Sequence, residues 1–341
     1  MSKNKSLKKV ILLSILFLFA ILVIFIISYN QAIEKPLKSN ENTIIIEVKQ
    51  GEGFYEILNE LDNEKKLSSK FLLRLKLSID KRNIELKEGI YEIDTNTTFE
   101  NLISSLENKA GDKDLVKLTI PEGYSVEDIA KTVEENGICT KDDFLNAVKN
   151  YELPSYVQSN NKKRYNLEGF LYPDTYLVEK NSDANSIIKL MISRFEEILK
   201  QVKDEAKVDI KDEDVERVIT IASMVEKEAR IPKDRPLISS VIYNRLEKDM
   251  KLQIDAAVIY ALGYHVDVVL NKHLEVESPY NVYKYKGLPV GPIANPGIDS
   301  IEAAVAPEKT DYLYYILQKD GSHYFTNDYN DFLSKKKELG Y

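Results

Sequence analysis

The chain has 341 residues, with 47 basic against 55 acidic side chains, a formal net charge of −8 and one cysteine. That length suits two folded domains, or one large domain with an appendage. The acidic balance, near −12 once the four N-terminal lysines are set aside, argues against a nucleic-acid partner, and a lone Cys139 excludes an internal disulfide.

Residues 10–28, VILLSILFLFAILVIFIIS, run for 19 positions without a charge, enough to cross a bilayer as a helix. Lys3, Lys5, Lys8 and Lys9 precede them, so the positive-inside rule leaves residues 1–9 as a cytoplasmic tail and puts the rest outside the membrane. A cleaved signal peptide is the competing reading. The apolar run exceeds an ordinary signal core, and SYNQAIEKP offers no small-x-small cleavage site, so the expectation is an uncleaved single-pass anchor in the cell membrane.

Residues 29–43 are polar, contain Pro36 and read as a linker. Beyond them a β-branched run at 44–48 predicts a strand, helical spacing covers 54–61 and 68–79, and GIYEI at 89–93 predicts a returning strand before a helix at 99–106. This is a small α+β module over 44–114, closed by the polar stretch NKAGDKD.

The second unit, 115–341, opens with a strand ending at Pro121-Glu122-Gly123. Helical periodicity follows at 126–135, 141–148, 184–202, 212–230, 235–248, 255–262, 298–306 and 329–338. Residues 166–178 read as a loop entering a short strand, and a hairpin, 312–317 with 323–325, is expected around Asp320-Gly321. The fold class is α+β and helix-rich, with small sheets. The stretch 277–297, ESPYNVYKYKGLPVGPIANPG, is too rich in proline and glycine for regular structure.

Within 212–230, Val215, Val218, Ile219, Ala222, Val225 and Ala229 fall on one helical stripe. Glu226 projects into that stripe and Glu228 nearly opposite, toward solvent. A carboxylate on a buried face requires a partner or a task, and desolvation favours the protonated form that a general acid needs. The bland alternative is a structural carboxylate paired with an arginine such as Arg245.

His265, His273 and His323 are scattered, with no HExxH or CxxC spacing, so no metal or other cofactor is expected; GxGxxG, Walker and GxSxG motifs are absent as well. The 21 tyrosines, with no tryptophan, offer flat faces and hydroxyls suited to sugars.

The ordered strings EGFLYPDTY, IASMVEKEA, VIYNRLEKDMKLQIDAAVIYALG, SPYNVYKYKGLPVGPIANPG and DYLYYILQKDGSHYFTND resemble the YceG/MltG family of membrane-anchored endolytic murein transglycosylases, from about residue 115 to 341. The N-terminal module looks like that family's LysM-like subdomain. The resemblance implies cleavage of peptidoglycan glycan strands between N-acetylmuramic acid and N-acetylglucosamine, leaving 1,6-anhydro ends without hydrolysis. It implies a single catalytic glutamate, the first of VEKE, Glu226. It also implies the wall-synthesis machinery as partner, and the anchor, which lets a tethered site reach only glycan near the membrane, points to newly made strands as substrate. Where family members commonly carry Pro-Thr after the Gln-x-Asp motif, this chain has Ala256-Ala257, and Leu-Pro-Val-Gly replaces Leu-Pro-Pro-Gly.

Candidates for holding the sugar are Gln253, Asn281 and Asn295 through their amides, and Tyr172, Tyr280 and Tyr283 by stacking. Asp255 is a further polar candidate, and Glu168 either orients the site or caps a turn. A muramidase-type hydrolase would need a second acid from Asp255, Asp174 or Glu168. A non-catalytic wall-binding anchor is the alternative from another class.

Overall fold

The computed structural model describes residues 2–39, 42–82, 84–108, 115–264, 266 and 268–340; in the first helix, side chains are described for residue 13 and from 16 onward. Most of the boundary stretch 108–114, and His265, lie outside the described residues. The chain divides into two compact units, residues 1–116 and 117–341.

In the first unit, helix α1 runs over Ser2–Glu34. Its segment Leu16–Glu34 is long and apolar enough to cross a membrane, with a mean hydropathy of 2.3. Leu16 to Ile27 present a continuous sleeve of exposed aliphatic and phenyl side chains. The helix continues past the expected end of the span. Nothing before Pro36 breaks it, and Ala32 and Leu37 are buried in the core of this unit. Backbone bonds from Lys38 N–H to Lys66 and from Ser68 N–H to Pro36, both 2.8 Å, tie the following residues down. The free linker expected at 29–43 is thus corrected: its polar composition hid three apolar contacts, Ala32, Ile33 and Leu37.

Strand β1 (Thr43–Val48) alternates exposed and buried, as a half-buried strand must, and pairs antiparallel with β2 (Gly89–Asp94), Ile46 opposite Tyr91. Helices α2 (Phe54–Asn63), α3 (Lys70–Asp80) and α4 (Phe99–Glu107) supply the rest of this core through Ile57, Leu58, Leu73, Phe99 and Leu102. Ser69 and Thr98 cap α3 and α4, their hydroxyls accepting backbone N–H bonds from Leu72 and Asn101.

The second unit pairs β3 (Leu115–Thr119) with β4 (Thr175–Glu179). Helices α5 (Val126–Glu135) and α6 (Lys141–Asn150) pack together, and the long α7 (Ala184–Ala206) follows β4. Helix α8 (Asp212–Glu228) lies at the centre, packed by α9 (Arg235–Glu247), α10 (Asp255–Leu262) and α11 (Ile298–Val305). Of its eleven residues from Val215 to Val225 all but Arg217 are buried, so burial extends round every side of this part of the helix. The hairpin β5 (Tyr314–Leu317) and β6 (His323–Thr326) and helix α12 (Tyr329–Leu339) close the chain.

The loop carrying EGFLYPD is fastened by Glu168, which is 1% exposed. Its carboxylate accepts the Val126 N–H at 3.0 Å, an otherwise orphaned donor in the first turn of α5. It also accepts the Tyr260 hydroxyl at 2.8 Å and the Asn295 side-chain amide at 3.1 Å. Burial pushes Glu168 up to about 8, against the lowering effect of Tyr260 and Val126. Asn295 returns the connection: its Oδ1 accepts the Leu171 N–H and its Nδ2 also donates to the Tyr124 carbonyl. Gly169, at φ +91°, sits where a Cβ would come within 2.6 Å of Pro292, so only glycine lets these two loops touch.

Glu168→Ala leaves the Val126 N–H, the Tyr260 hydroxyl and one Asn295 bond without an acceptor in a buried setting. A loss of about 2–4 kcal/mol is expected. A thermal melt checks it: the midpoint should fall by roughly 5–15 °C, and an unchanged melt would remove Glu168 from its structural role.

Candidate active site

Glu226 and Glu228 end α8, and the chain turns extended at Ala229. Glu226 is enclosed, its side chain 8% exposed. Its Oε2 accepts the Ser300 hydroxyl at 2.7 Å and the N–H of Gly297, the residue that precedes α11, at 3.2 Å, and its Oε1 lies 3.6 Å from the Arg235 guanidinium. This is a carboxylate that caps a helix and pairs with an arginine. The arginine is Arg235, where the sequence suggested Arg245; the Arg245 guanidinium instead donates to the Leu252 and Leu313 carbonyls. Glu122 lies against Gly297 so closely that a side chain there would collide with it, and burial together with the charge of Glu226 pushes Glu122 up.

Glu228 does not face solvent. The helical projection fails because α8 is surrounded: α10 and strand β5 cover the side opposite the stripe. Glu228 is half-buried, its Oε2 accepts the Tyr315 hydroxyl at 3.1 Å, and the Ala256 N–H in the first turn of α10 bears on it too. Burial, chiefly, and then the Asp255 charge push it up to about 7, against the lowering influence of Tyr315 and Arg230. A carboxyl protonated near neutrality and still reachable from solvent is suited to general acid work.

Around it lie the exposed Asp255 and the half-buried Tyr283, whose hydroxyl donates to Asp255 at 2.5 Å, and the exposed Gln253, two residues before Asp255, accepts from the Arg245 guanidinium at 3.5 Å. Gln253 has φ +55°, a left-handed conformation held as its N–H donates to the Val282 carbonyl at 3.2 Å. Together these groups make a polar face of acid, amide and phenol.

The other sequence candidates serve the fold instead. Asn281, 1% exposed, uses its whole amide locally: Nδ2 donates to the Leu274 and Val276 carbonyls, and Oδ1 accepts from Tyr283 and Lys284 N–H. Asn295 is spent in the Glu168 network. Tyr280 is 4% exposed, edge-on to Tyr260, and accepts the Arg164 N–H, so its faces are not open to a sugar. Tyr172, 6% exposed, belongs to the core. Glu168 has the structural half of its two expected roles, and Asp174 holds Arg194 at 2.8 Å. These residues were conspicuous in the sequence because a polar side chain that satisfies buried backbone is as irreplaceable as one that binds substrate. Tyr315 was missed, since nothing local to 312–317 marks it. Among the described residues no cluster of three or more His, Cys, Asp or Glu could hold a metal ion.

The model of the YceG-like family matches residues 46–338. An endolytic murein transglycosylase of Bacillus subtilis (strain 168) is 34% identical over 312 residues, covering 87% of this chain and 85% of that protein. A protein of the same name from Streptococcus pneumoniae serotype 2 is 33% identical over 278 residues, and the match covers 74% of this chain but about half of that longer protein, 50%. A crystal structure of a yceG-like protein from Listeria monocytogenes aligns with a TM-score of 0.59 at 33% identity, covering 87% of this chain and 100% of that one. The chain belongs to the YceG-like family.

Proposed function

We propose that the protein is an endolytic lytic transglycosylase of peptidoglycan, with Glu228, not Glu226, as its acid and base. The observation that carries the assignment is the contrast between two neighbouring carboxyls. One is spent on a helix start and an arginine, and the other is held up to about 7 beside the exposed Asp255. The relatives named endolytic murein transglycosylase supply the substrate class.

Protonated Glu228 donates to the glycosidic oxygen linking N-acetylmuramic acid to N-acetylglucosamine. The C1–O bond breaks, its electron pair leaves with the departing sugar, and an oxocarbenium-like centre forms at the muramic C1. The carboxylate then takes the proton of the same sugar's C6 hydroxyl as that oxygen attacks C1, closing the 1,6-anhydro ring. Glu228 ends protonated, as it began. No water is consumed, so one carboxyl suffices. In this reading Gln253 and Tyr283 hold acetamido or hydroxyl groups, and Asp255 orients Tyr283 and keeps Glu228 protonated.

The exposed apolar sleeve of α1, preceded by four lysines, supports a single-pass anchor with a cytoplasmic N-terminus. Because α1 runs directly into the packed residues 32–38, the first unit would stand close to the bilayer, within reach of nascent strands and of the enzymes that polymerise them. The first unit is proposed to be a LysM-like glycan-holding module.

Mass spectrometry of glycan products tests the chemistry with the full chain in detergent. Glu228→Gln should abolish anhydromuramic ends. Glu226→Gln should still make them, with stability lowered by about 1–2 kcal/mol. The reverse result would return the catalytic role to Glu226, and reducing ends would mean a hydrolase with Asp255 as second carboxylate. The pH profile follows from the same group. The reacting form is the protonated one, so activity should be full below pH 7 and fall as pH rises through about 7. For topology, protease added to intact protoplasts should degrade the unit from residue 117 onward; its protection would reverse the proposed orientation.

A further inference from the structure

We propose that Tyr315 is a positioning residue for Glu228: the C-terminal hairpin holds its hydroxyl on one carboxyl oxygen and so leaves the other to exchange the proton with substrate. This rests on the reading of Glu228 as the acid and base.

Glu228 is the last helical residue of α8, so no further turn of its own helix restrains it. The Tyr315 hydroxyl reaches its Oε2 at 3.1 Å from a strand 87 positions along the chain. That reach depends on where the hairpin sits, and a separate buried contact sets it. Asp234 lies six residues after Glu228, in the short turn Pro232–Asp234 that leads into α9. Its Oδ2 accepts the backbone N–H of His323 at 2.7 Å and, with the ring proton on Nδ1, the imidazole at 2.9 Å. Both side chains are 3% exposed.

In the hairpin Tyr315 pairs with Phe325 and Leu317 with His323, which makes Tyr315 and His323 diagonal neighbours on one face. Their rings meet edge to face at 5.5 Å and 84°. The strand's approach is pinned as well, since Asn244 donates to the Thr310 and Tyr312 carbonyls and Arg245 to that of Leu313. The turn that follows the acid's own helix therefore grips β6, the hairpin partner of the strand whose tyrosine orients the acid.

Among the described residues the charged and titratable groups around this pair include Asp255 and Tyr283 on the α10 side, Arg230 just beyond α8, Arg245 of α9 facing Tyr315, and His323 of β6, itself paired with Asp234. Within that set the Tyr315 O–H is a neutral donor, which favours the ionised carboxylate. Removing it should shift the balance toward the protonated acid, an effect that mere packing would not produce.

The test is Tyr315→Phe in the full chain in detergent, with purified glycan strands and steady-state kinetics across pH. Phenylalanine keeps the ring contacts. The expected result is a kcat lowered about tenfold, KM within about twofold, and an alkaline limb moved upward by about one pH unit, with the thermal midpoint little changed. An alkaline limb at the wild-type pH overturns the proposal, whatever the kcat. Complete loss of turnover in a folded variant also overturns it, because that would make Tyr315 a proton-transfer group. Glu228→Gln in the same assay separates the two ideas. If it still forms anhydro ends, the Glu228 reading falls and takes this one with it. If it is silent while Tyr315→Phe keeps the wild-type profile, only the role of Tyr315 is lost.

Discussion

The second unit of the protein depends on a hydrogen-bonded carboxylate that never meets solvent. Glu168 joins the start of α5, the Tyr260 hydroxyl on α10 and Asn295 of the proline- and glycine-rich loop. Each of these groups would otherwise be a polar atom stranded in a core of Phe170, Ile219 and Ile293. Loops hold no shape of their own, and here three stretches far apart in sequence take theirs from one another. Gly169 against Pro292 adds the steric half of the same arrangement.

From that frame the site follows by geometry. With the loop 287–297 fixed, α11 begins where Glu226 can cap it, which anchors the C-terminal turn of α8. Two residues later Glu228 emerges between α10 and the hairpin, enclosed enough to hold its proton near neutrality and open enough to deliver it. The two glutamates at one helix end thus differ in setting: Glu226 is held by the start of α11 and by Arg235, and Glu228 is compensated only in part. A buried charge that is fully partnered serves the fold, and one that is only partly compensated serves the reaction.

Much of the architecture was legible in the sequence. The strands β1 and β2, the helices from α2 to α11 and the closing hairpin follow from alternation, helical spacing and turn residues, because each element shows one face to a core and another to water. The reading failed where that asymmetry ended. Polar composition suggested a free linker after the membrane span, yet three apolar side chains were enough to dock it. Asn281, Asn295 and Tyr280 looked like ligands for sugar, since no local pattern separates an amide that satisfies buried carbonyls from one that awaits substrate.

The sequence by itself determined the elements, the long apolar helix near the N-terminus and the irregular course of the proline- and glycine-rich stretch. An uncharged run of 19 residues, a regular period or a cluster of prolines constrains the backbone whatever surrounds it. Only the tertiary structure decided which glutamate of Val-Glu-Lys-Glu meets the open face. A helical projection ranks faces when one side of a helix is wet, but α8 is enclosed on all sides, so the orientation of Glu228 was set by α10 and by a tyrosine 87 residues away.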